Sequence, residues 1–151
     1  MPHAGIQVGT IDRTVQVTSE WLRDLSEKLG APGDGERAYR VLRAYLHTLR
    51  DRLNLGEATD LAAQLPLLVR GVYYEGFDPS QSPRRLDREE FLAELANQAV
   101  INDNDPFDAE RAVQATTAML RERITEGQMQ DVFSQLPGGL RELLEQGAGG
   151  A

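Results

Sequence analysis

Three aspartates stand at positions 103, 105 and 108 in the run NDNDPFD, and acids so closely spaced are the raw material of a calcium loop. A loop of the EF-hand kind opened at Asp103 would need glycine at 108 and a bidentate glutamate at 114, where the chain has Asp108 and Gln114. Helix capping is the better reading, with Asp105 as N-cap, Pro106 in the first helical position and Asp108 in the third. Glu90 and Glu94 form an i, i+4 carboxylate pair, but no Glu-x-x-His motif accompanies them to build a di-iron centre. His3 lies close to the N-terminus, and His47 stands alone among charged residues. There is no cysteine, no GxSxG turn and no glycine loop of the phosphate-binding kind. The expectation is a protein with no catalytic residues, no metal and no cofactor.

Arginine offers more. Arg52 and Arg123 occupy equivalent places in two copies of one sequence, each followed eight residues later by an aspartate, Asp60 and Asp131. On a helical wheel Arg52 falls inside an apolar arc, and a charge facing a core requires an anion or several carbonyls. The spacing predicts that each arginine pairs with its aspartate or caps helix ends. The alternative is a pair of related sites for a small anionic or phosphorylated ligand. Arg40, Arg43, His47 and Arg50 fall on the polar side of the same helix, a basic stripe suited to an acidic partner or to phosphate. Only Arg40 and Arg50 recur in the second copy, as Arg111 and Arg121, and no aromatic residues interleave with the stripe as nucleic-acid binding would favour. Its blander reading is a solvated helix face. Tyr73, Tyr74 and Phe77 in GVYYEGFDP have no aromatic counterparts in the second copy. They could fill the joint between the copies or act as an interface hot spot.

The elements that carry these residues are stated twice. LRDRLNLGEATDLAAQLPLLVR at 49–70 returns 71 positions later as LRERITEGQMQDVFSQLPGGLR at 120–141, with nine of the 22 positions identical. Upstream, SEWLRDL at 19–25 is mirrored by EEFLAEL at 89–95. The apolar period is helical throughout. Ile11, Val15, Val17, Trp21, Leu22, Leu25 and Leu29 mark a first helix from Thr10 to Leu29, and residues 35–53 form a second. Asn54 with Glu57, and Thr125 with Gln128, match the capping box and predict a short helix after each. The strings Gln64-Leu65-Pro66 and Gln135-Leu136-Pro137 then mark a break and restart, because proline suits a first turn but not a helix interior.

This reading gives a disordered start at 1–9, a first four-helix repeat at 10–77 and a linker at 78–86. A second repeat follows at 87–146, with a frayed tail at 147–151. Each repeat leaves an apolar face that it cannot cover alone, so both should share one domain. The fold class predicted is all-α, a pseudo-twofold bundle of about eight helices.

The combination LRDRL…AQLP…RGVYYEGF, with TVQVTSEWL before it and LPGGLRELL after it, resembles the bacterial domain-of-unknown-function family 2267, from about Ile11 to Leu144. The resemblance implies an all-helical cytosolic protein and brings no catalytic residues or cofactor with it. The chain departs from the family where Phe77 and Leu144 stand in place of tryptophan, which keeps bulk and touches packing alone.

Bulk properties narrow the partners. The net charge is −8, with seven positive and fourteen negative residues in 78–151. Such a chain repels nucleic acid and anionic membrane. No basic start followed by an apolar run opens the sequence, and nothing approaches 18 consecutive apolar residues. The sequence therefore points to a cytoplasmic, non-enzymatic interaction module acting on another protein or on itself as a homodimer. The first alternative is a sensor of a small anionic ligand using Arg52 and Arg123. The second is a nucleic-acid-associated factor using the basic stripe.

Overall fold

The computed structural model describes residues 5–146. Eight α-helices and no strand occur among them: α1 (Gly9–Lys28), α2 (Gly35–Arg52), α3 (Leu55–Ala62), α4 (Leu67–Tyr74), α5 (Arg88–Ala99), α6 (Ala109–Arg121), α7 (Glu126–Ser134) and α8 (Gly138–Gln146). A three-residue 3-10 turn, Pro79–Gln81, interrupts the connection between α4 and α5. The all-helical class and the helix count agree with the sequence reading. Of the expected disorder at 1–9, residues 1–4 lie outside the described residues, as does the expected fraying at 147–151, and Gly9 opens α1.

Helix α2 is the hub. It packs against α1, α4, α5 and α6, while α6 packs against α1, α2, α5 and α8. The apolar side of α2 supplies Ala38, Val41, Leu42, Tyr45, Leu46 and Leu49 to a core completed by Leu25, Phe91, Leu95, Met119 and Phe133. Where α2 crosses α6, the buried Tyr45 hydroxyl lies 2.8 Å from Thr117 Oγ1. Thr117 spends its own hydroxyl proton on the Val113 carbonyl, so Tyr45 is the donor.

The short helices join the halves at their ends, and here the capping prediction is half right. The Asn54 side chain accepts from Glu57 N and the Thr125 side chain from Gln128 N, as expected. The return bonds are not made by Glu57 and Gln128. The Asn54 amide instead donates to Gln135 Oε1 (3.0 Å), and the Thr125 amide donates to Gln64 Oε1 (3.1 Å). Each glutamine of the QLP string thus completes the cap of the other half's helix. The leading helices exchange caps in the same manner. Arg40 Nε donates to the Ala99 carbonyl at the end of α5 (3.0 Å), and Arg111 Nη2 to the Lys28 carbonyl at the end of α1 (3.1 Å).

Two boundaries differ from expectation. Asp108, not Asp105, is the N-cap of α6, accepting from Arg111 N. Asp105 is drawn away by stronger partners: its side chain is 2 % exposed and pairs with Arg37 (2.7 Å) and Arg40 (3.5 Å) of α2. Pro66 is the N-cap of α4 rather than its first residue.

Candidate functional site

The polar side of α2 is where the basic stripe was expected, and the structure buries His47 and Arg50 of it while leaving Arg40 and Arg43 part-exposed. Arg50 is 4 % exposed. Its Nη1 donates to the carbonyls of Tyr73 (2.8 Å) and Glu75 (2.9 Å), its Nε to Asp51 (2.9 Å), and its plane lies 5.1 Å from the centroid of Phe77. These are the C-terminal carbonyls of α4, so the cation closes that helix end while four neighbours compensate its charge. His47 is 6 % exposed, with Nε2 2.6 Å from the Val72 carbonyl. Burial, seconded by Arg50 and Arg43, holds its pKa below the ordinary histidine value, so the neutral ring donates there. Arg43 pairs with Glu75 at 2.8 Å, and Arg40 is committed to Ala99 and Asp105. Arg43, His47 and Arg50 thus bind α4 and its end, and Arg40 the end of α5, with the Arg40 and Arg43 side chains still 38 % and 39 % exposed.

Arg52 and Arg123 do not meet Asp60 and Asp131. Arg123 Nη1 bonds Asp24 of α1 (2.7 Å) and the Met119 carbonyl (3.1 Å), with its guanidinium 5.8 Å from the Trp21 ring centroid. Arg52 donates to the Leu86 carbonyl (3.3 Å). Each guanidinium binds across to the opposite half, at Leu86 and at Asp24, whereas the aspartates lie exposed on α3 and α7. The expected capping of the QLP break falls to Arg70, which donates to the carbonyls of Ala62 and Leu65, both at 3.0 Å. Asp60 and Asp131 instead sit near Glu57, which accepts a short hydrogen bond from Gln128 Nε2. Burial first, then these two aspartates, raises the Glu57 pKa above the ordinary carboxylate value.

The aromatic cluster divides. Tyr73 is fully buried and donates its hydroxyl to the Ala58 carbonyl (2.7 Å), locking α4 to α3 within the first half. Phe77 lies beneath Arg50, and Tyr74 meets Tyr73 edge to face with 5.3 Å between centroids. Tyr74 alone reaches outward, and it opens onto a feature the sequence reading missed.

That feature is an apolar groove of about 620 Å³ between the N-terminal half of α1, the start of α2 and the length of α4. Ile11 and Val15 form one wall, Leu67, Leu68 and Tyr74 the other, and Tyr39 the end. All six are solvent-exposed, and the Leu68 amide bonded to Thr14 Oγ1 (3.0 Å) ties the walls together. The signal for it was present in the repeat itself. At 71 positions' distance Leu67, Leu68, Tyr39 and Tyr74 become Gly138, Gly139, Glu110 and Glu145. Apolar residues on one copy and glycine or acid on the other mark positions where packing does not decide.

Among the described residues no group of three or more histidine or acidic side chains is arranged to hold a metal ion. No described helix is long and apolar enough to cross a membrane. No curated protein matches the chain. A family match, in contrast, spans residues 18–143 and so takes in every helix but the first turns of α1 and the end of α8. The chain belongs to the family described as Uncharacterized conserved protein (DUF2267).

Proposed function

We propose that this protein is a non-enzymatic, cytoplasmic protein–protein interaction module whose working surface is the apolar groove between α1 and α4. One observation carries the reading. The second half builds its helices at the equivalent positions with Gly138, Gly139, Glu110 and Glu145, so the fold does not require Leu67, Leu68, Tyr39 and Tyr74 to be apolar. Exposed hydrophobic side chains that the fold does not need, gathered into one concave patch, are the mark of a docking surface. We further infer that the two halves stand about a local twofold axis near the Glu57–Gln128 contact. The reciprocal caps of Gln64 and Gln135, and of Arg40 and Arg111, support that arrangement.

The test places a photo-cross-linking residue at Leu68 or, as the internal control, at Gly139. The reading expects one stoichiometric protein adduct in native extract from the Leu68 position and none from Gly139. Equal labelling at both positions, or none at either, overturns it.

A further inference from the structure

The partner can be specified, on the footing that the groove is the working surface. We infer that its occupant is a second copy of this chain, in an isologous dimer made by α1 and α4.

The groove and a ridge that fits it lie side by side on one molecule. Ile11 and Val15 are one turn apart on α1 and about half exposed, and Val8 and Ile6, in the segment before the helix, are 49 % and 93 % exposed. Helix α1 has 20 residues where α5 has 12. The two extra turns carry this ridge and have no counterpart in the second half. A twofold axis beside α1 lets the ridge of each copy enter the groove of the other. A twofold interface demands such self-complementarity, because the same patch must serve as both knob and hole. No separate partner has to be invoked to supply the ridge.

Area and charge agree. The exposed parts of the ridge and groove side chains, if wholly covered, would approach the roughly 800 Å² per partner of a standard stable interface. Residues 1–77 carry nine positive and ten negative charges, whereas 78–151 carry seven and fourteen. Contact through the first half joins nearly neutral surfaces and holds the acidic halves apart. The rim pair Arg43–Glu75 is already neutral, so neither a basic nor an acidic partner finds an excess of opposite charge.

Sedimentation equilibrium on the full chain, from micromolar to near-millimolar concentration, should report a species of twice 16.7 kDa. Val15→Glu and Leu68→Glu sit at exposed positions and should keep the circular dichroism spectrum. Each should raise the dimer dissociation constant about tenfold or more, as the loss of an interface anchor does. The absence of cysteine provides a second readout. Val15→Cys mixed with Leu68→Cys should form the mixed disulfide in preference to either symmetric one. A monomer at every concentration overturns the dimer, and the Leu68 cross-link then reports whether the groove takes a different protein. A dimer indifferent to both glutamates, with no mixed disulfide, overturns the inference, and the Leu68 cross-link then decides the groove reading on its own.

Discussion

At the scale of single residues, the polar side chains of α2 act as internal fasteners. Arg50 is the strongest case: a cation 4 % exposed, held by two carbonyls, one carboxylate and an aromatic face. Removing one member of such a set strands the others, so Arg50→Met should cost about 3 kcal/mol in urea unfolding. Arg43→Ala loses a solvent-screened pair with Glu75 and should stay within about 0.5 kcal/mol. Equal effects from the two would mean that Arg50 is no more buried than its neighbour. His47 adds a pH dependence of definite sign. Its folded pKa lies below the unfolded value of 6.5, so its contribution is present above that pH and is lost as pH falls through the folded value. Urea midpoints compared between wild type and His47→Gln should therefore converge or reverse from pH 7.5 down to pH 5. Glu57 titrates in the opposite sense but is common to both proteins, so it cancels in the difference. The wheel could not reveal this layer. A helix with arginine and histidine on one side reads as half solvated, and only the positions of α4 and α5 show that this side too is covered.

At the scale of elements, most helix limits were legible to within one or two residues, because apolar period and capping chemistry both act locally. The start of α6 lies three residues later, where Asp105 is taken by Arg37. What each end receives from elsewhere was not. Gln64 and Gln135 read as punctuation before proline, yet each satisfies an amide on the opposite half, 61 and 81 residues away in sequence respectively. The same comparison of copies exposes a strained end. Helices α1 and α5 both close with a six-to-one bond, Ala31 N to Ser26 O and Ile101 N to Ala96 O. The left-handed residue is Gly30 (φ 77°) in the first and Val100 (φ 55°) in the second. A β-branched residue in that region costs roughly 1–2 kcal/mol, and Val100 is 61 % exposed, so it recovers little by packing. Val100→Gly should accordingly stabilise the protein by about 1 kcal/mol, raising the melting temperature by about 2–4 °C. Gly30→Val should lower it comparably. A loss of stability in Val100→Gly would show that the valine is anchored by contacts outweighing its backbone strain.

At the scale of the whole molecule, one core cluster draws residues from both copies of the repeated sequence, while the surfaces of the copies differ. Helix α2 buries one flank against α5 and another against α6, while α1 crosses to α6. Tyr45, Leu46 and Leu49 in the first half and Phe91, Leu95 and Met119 in the second are all buried in one cluster. Neither half can satisfy that surface alone, and neither can complete the caps at Asn54, Thr125, Lys28 and Ala99. Fragments 1–77 and 78–151 should each show weak helical dichroism and no cooperative melt. Mixed in equal amounts, they should recover a cooperative transition, since the covalent link supplies effective concentration and the contacts of Ser82, Arg84 and Leu86 remain available within fragment 78–151. A sharp melt from either fragment alone would mean a self-sufficient core within 77 residues, and the shared seam would then be an interface between two domains. The fragments also separate folding from docking. The groove of Ile11, Val15, Leu67 and Leu68 lies wholly within the first half, but its walls are held apart by α2, which is placed by α5 and α6. Val15→Glu in fragment 1–77 should thus leave the dichroism recovered on mixing unchanged, because that side chain meets solvent rather than the second half.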